Sequence, residues 1–119
     1  MSAELNYKKL GDYFIPDIEI PEQPEEEVRY YGKKRFEYLE HSDPVGLTKM
    51  NLSFQTRTHL IEVQNRAEAL EEKLMAEMKA AEGITEELKK KDQLEWVGRV
   101  NNLQSRVREI VLNEVVYVE

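Results

Sequence analysis

Cysteine is missing from all 119 residues, which removes disulfides, thiolate zinc sites and cysteine nucleophiles together and fits a reducing cytoplasm. Histidine occurs only twice, at His41 and His59. No apolar run approaches the ~18 residues that a membrane span needs, and the first ten residues hold no long apolar stretch of the signal-peptide kind. The expectation is a soluble cytoplasmic protein without membrane contact. There is no glycine-rich phosphate loop, and Ser42, Ser53 and Ser105 have no histidine and acid at a recognisable spacing. Glu25, Glu26 and Glu27 point in three directions on a helix and lack a pocket partner, so they read as a solvated first turn rather than acid/base catalysts. His59 and Glu62 stand at the i, i+3 spacing shared by two residues of a carboxylate-bridged metal site. Such a site needs a second Glu/His pair and further inward carboxylates, and none is spaced for it. His59 is expected to be exposed or capping, and no catalytic residue, metal or cofactor is expected.

Positive charge is also scarce. Seventeen Lys and Arg stand against 24 Asp and Glu, a net charge of -7, which repels phosphate backbones on average. Only a local basic surface could bind DNA. Residues 1–28 carry -6 and 67–87 carry -5, whereas 29–66 carry +3 and 88–119 carry +1. The basic island is therefore Arg29 to Arg66, densest at Arg29, Lys33, Lys34 and Arg35.

What the chain does contain is helical periodicity. Its length suits one domain, 1–119, while 34% charged residues and a mean hydropathy of -0.68 point to an elongated shape, an oligomer, or both. Leu60, Val63, Ala67, Leu70, Leu74, Met78 and Ala81 form a stripe about 80° wide at 100° per residue. Gly83 closes that helix as a left-handed cap, with Ile84 placed to touch Met78 in the Schellman manner. Thr85 caps the next helix, and its stripe is Trp96, Val100, Leu103, Val107 and Ile110. Helices over 57–82 and 85–115 thus form a long antiparallel hairpin, each arm on the order of 35–40 Å.

Two shorter helices are expected over 24–56. The first runs from Pro24 to His41, weakened at Gly32. The second starts at Pro44, capped by Ser42 or Asp43, and ends near Phe54. Residues 1–23 form a short β-hairpin or extended arm around Gly11-Asp12, with Pro16 and Pro21 forbidding a long central strand. The final "VVYV" continues the last helix or leaves it as a strand beside that arm, and its β-branched and aromatic residues favour the strand. The fold class is mainly α.

The order of the first two helices resembles a helix-turn-helix, with Lys49, Asn51, Gln55 and Arg57 able to read base edges. Against this, Leu47, Met50 and Phe54 share one side of the second helix while Val45 and Leu52 project roughly opposite. A helix apolar on both sides suits a core or an oligomer interface better than a groove. The candidate nucleic-acid contacts are therefore Arg29, Lys33, Lys34, Arg35, Lys49 and Arg57, set against a reading in which these cations snorkel from the rim of a packed hairpin.

"GDYFIPDIEIP" near the start and "GITEELKKKDQLEWVGRVNNLQSRVREIVLNEVVYV" at the end, in this order and spacing, resemble the TnpV family of small transposon-encoded proteins. The similarity covers roughly Tyr7 to Tyr117 and is densest at Gly11, Asp12, Tyr13, Ile15, Pro16 and Asp17, and again at Thr85, Glu86, Leu88, Lys89, Trp96, Val97, Asn101, Asn102, Glu109, Ile110, Val111, Glu114 and Tyr117. The resemblance implies an accessory, non-catalytic factor of a bacterial mobile element, similar to the excisionases that direct a recombinase. Its partners would be DNA at the element ends, a site-specific recombinase, or a second copy of itself. It assigns no binding residue, and "SDPVGLTKMNLSFQTRT" departs from the family pattern.

Overall fold

A computed structural model describes residues 22–119, and among these every regular element is helical. In chain order they are α1 (Tyr30–Ser42), α2 (Pro44–Leu52), α3 (Thr56–Ala81), α4 (Glu86–Lys91), α5 (Gln93–Val111) and a π-helical turn, Leu112–Val116. The expected N-terminal hairpin or arm falls almost wholly on residues outside that range. The fold measures 67 × 32 × 18 Å.

The hairpin follows from the two apolar stripes. The 26 residues of α3 span about 39 Å at 1.5 Å each, and α5 returns along them. Gly83 has φ of 70°. Its amide donates to the Ala80 carbonyl at 3.4 Å and the Ile84 amide to the Lys79 carbonyl at 2.9 Å, the paired bonds of a Schellman cap. Thr85 caps α4 by accepting from the Leu88 amide at 3.3 Å. The expected continuous helix over 85–115 is instead broken at Asp92. Its side chain accepts from the Glu95 amide at 3.1 Å and starts α5 afresh.

Burial is most continuous at the root of the hairpin, although Ile84 at the tip is buried too. Leu60, Ile61, Val63, Gln64 and Ala67 in the first half of α3 are buried, as are Leu103, Val107 and Val111 of α5. Towards the tip, Leu70, Leu74, Met75, Met78, Trp96 and Val100 are only partly buried. The root has a third layer, because α1 and the π-helical turn both pack on α3. Val111 and Val116 are both fully buried, since a turn of i→i+5 bonds brings residues five apart onto one face, and the Tyr117 amide donates to the Leu112 carbonyl at 2.7 Å. Of the two ends expected for the last residues, a continued helix or a strand, the structure has the helical one.

α1 begins at Tyr30, six residues later than Pro24 and its acidic neighbours suggested. Residues 22–29 lie alongside α3 instead. Gln23 Nε2 donates to the Phe54 carbonyl at 3.1 Å and Arg57 Nε to the Pro24 carbonyl at 2.9 Å. The amide of buried Gln64 donates to the Glu27 carbonyl at 3.0 Å and accepts the Arg29 amide proton. A Cβ on Gly32 would stand 2.7 Å from Val28 Cγ1 and 2.8 Å from Gln64 Oε1. The glycine expected to weaken α1 is what lets it approach α3. Asp43 is the cap of α2, accepting from the Gly46 amide at 3.0 Å.

Candidate interaction surface

The six cations singled out in the sequence do not form one patch. Arg29 grips Glu68 through two bonds of 2.9 Å and stands 3.5 Å from Glu26. That pairing holds the Glu68 carboxyl below the usual carboxylate range. Lys34 is 3.7 Å from Glu37 and lies over the Tyr30 ring. Arg57 is spent on the carbonyls of Pro24 and Glu26. Arg35 turns inward and is only 7% exposed. Lys33 and Lys49 are exposed and, among the described residues, carry no side-chain hydrogen bond or ion pair. Asn51 accepts from the Thr56 hydroxyl, and Gln55 is exposed.

Arg35 was missed as a structural residue because nothing in its local sequence distinguishes it from Lys33 and Lys34. Its Nη1 donates to the Val116 carbonyl at 2.8 Å and also to the Val118 carbonyl. Its Nε donates to His59 Nε2 at 3.1 Å, and its guanidinium lies 5.5 Å from the Tyr38 ring centroid. His59 is accordingly half-buried rather than exposed or capping. Burial, then the Arg35 charge, pushes its pKa below the ordinary 6.5.

A second polar joint crosses the middle of the hairpin. The Tyr31 hydroxyl donates to Glu71 Oε2 at 2.7 Å, and burial and that carboxylate raise its pKa strongly. Arg108 stacks 4.5 Å over the Tyr30 ring, and its buried Nε has no hydrogen-bond partner among the described residues. A groove of about 420 Å³ between Glu82, Glu95, Gly98, Arg99, Asn102 and Arg106 is lined by charges that neutralise one another. Arg106 bonds Glu82 at 2.7 and 2.8 Å and Arg99 bonds Glu95 at 3.1 Å. Among the described residues no three His, Asp or Glu side chains cluster to hold a metal, and no helix is long and apolar enough to cross a membrane.

The uncovered apolar surface lies elsewhere. On α2 only Leu47 is buried, while Val45 is 65% and Leu52 75% exposed. Seven residues apart, these two fall within about 20° on a helix of 3.6 residues per turn. Lys49 shares their side. The apolar surplus on α2 is therefore real, and nothing within the described chain covers it. Leu94, at 87% exposure, is the corresponding feature near the hairpin tip.

The geometry defines a class: a helical-hairpin protein with a braced root, paired surface charges and a short helix offering apolar side chains to solvent. Residues 6–116 match the family described as Transposon-encoded protein TnpV, and the chain belongs to that family. No curated protein and no solved structure matches it.

Proposed function

We propose that this transposon-encoded protein is a non-catalytic accessory factor that works by protein contact, with the outer face of α2 docking the site-specific recombinase of its element. The supporting observation is the exposed pair Val45 and Leu52 on one side of α2, with Lys49 between them. Two aliphatic side chains fall far short of the ~800 Å² per partner of a standard stable interface. The fitting mode is a brief helix-in-groove contact with an apolar floor and a carboxylate for Lys49. Co-purification with the recombinase should be lost in the double variant Val45→Lys/Leu52→Lys, whose helical circular dichroism should persist because neither side chain is buried. Undiminished co-purification would overturn the proposal, as would light scattering in which the same variant turns a dimer into a monomer.

Lys33 and Lys49, both exposed and without an ion pair among the described residues, favour a second reading, an excisionase-like contact to DNA at the element ends. It requires a salt-sensitive gel shift with element-end duplex, weakened by Lys33→Glu and Lys49→Glu. The absence of any shift at low salt removes it.

A further inference from the structure

We propose that His59 is a proton-sensitive latch on the C-terminus: protonation at Nε2 disengages Arg35 and releases the segment from Leu112 to Val118 from α1.

An arginine Nε carries a hydrogen and cannot accept, so the 3.1 Å contact with His59 Nε2 requires an imidazole that is neutral and carries its proton on Nδ1. The same guanidinium holds the Val116 and Val118 carbonyls. One side chain of α1 therefore ties α3 to the chain end, and the imidazole is its nitrogen acceptor. No carboxylate forms an ion pair with Arg35 among the described residues. Its charge is met by two carbonyls, the imidazole and the ring of Tyr38, on which Tyr117 in turn packs at 5.5 Å.

A proton on Nε2 replaces the acceptor with a donor and sets two cations about 3 Å apart in a joint that is mostly removed from water. A guanidinium that moves away from the imidazole gives up the geometry that holds both carbonyls. The groups facing His59 divide unevenly. Arg35 from α1 and Arg66 from α3 oppose its protonation, and Glu62 from α3 favours it. The chain end contributes main-chain carbonyls, through Arg35. The closed latch thus binds a proton less readily than a solvated histidine does, and by linkage the open fraction rises as pH falls below about 6.5, by up to about tenfold per pH unit.

The test is amide hydrogen exchange of the full chain, following the 112–119 peptide at pH 7.5, 6.5 and 5.5 after correction for intrinsic rates. Wild type and the control His41→Gln should lose protection there by up to about fivefold between pH 6.5 and 5.5. His59→Gln, whose carbonyl oxygen accepts from Arg35 at every pH, should remain protected. Protection that is flat in wild type, or falls equally in His59→Gln, overturns the latch. Should His59→Gln fail to fold by circular dichroism, the wild-type NMR titration decides: the His59 ring and the Tyr117 amide must titrate together, and independent midpoints overturn the proposal.

Discussion

Gln64 shows how one side chain can override local signals. It is fully buried, yet both ends of its amide are used, one on the Glu27 carbonyl and one on the Arg29 amide. Together they define where α1 begins. Gln64→Leu keeps the volume and orphans both backbone groups, at about 1–3 kcal/mol for each one left unsatisfied. A thermal melt should show a loss well beyond that of a surface substitution. Gly32→Ala forces the same joint apart from the other side, because the new methyl meets Gln64 Oε1 and Val28. Its cost should be about 1–3 kcal/mol, typical of overpacking, against the slight gain an alanine brings to an open helix. None of this was legible in the sequence. Pro24 and three glutamates are a good helix entrance by every local criterion, and what overrides them comes from 35 residues away.

At the scale of elements, legibility followed the length of the pattern. The hairpin could be read because two stripes and the Gly83 cap agree, and α3 at Thr56–Ala81 lies within one residue of the expected 57–82. The break at Asp92 was overlooked, although Asp92 followed three residues later by Glu95 has the spacing of a capping box; the cap at Thr85 already supplied a helix start seven residues earlier. Asp92→Ala should cost about 1 kcal/mol by removing the bond to the Glu95 amide, visible in urea denaturation, unless α4 and α5 fuse into one helix, which helical circular dichroism would register as a gain. At the C-terminal end both a continued helix and a strand were open, and β-branched residues favoured the strand; burying Val111 and Val116 on one face goes with the helical end and its π turn. Of the candidate site, the apolar surplus of α2 was legible from its wheel. The inward turn of Arg35 was not, since its acceptors lie 24, 81 and 83 residues away.

For the whole molecule, pH dependence should have two steps. His59 has a lowered pKa, so the folded state binds fewer protons than the unfolded one between the two values. Its contribution is complete above about 6.5 and fades as pH falls towards the lowered value. Glu68 and Glu82 are lowered by Arg29 and Arg106. Their contributions hold above the ordinary carboxylate range and vanish as pH drops through the lowered values. Both sit near the surface, so the second step should be shallow. Urea midpoints from pH 8 to 3 should be level above 6.5 and then decline, and His59→Gln should abolish only the first decline. The concentration of burial at the root of the hairpin has another consequence, one of reach. Since α1 and the chain end brace the root and, among the described residues, α4 is the one further helix beside the tip, the reach of the outer hairpin is separable from the packing of its mount. How far the tip stands from the root is thus a dimension that insertions and deletions can tune in steps of whole turns.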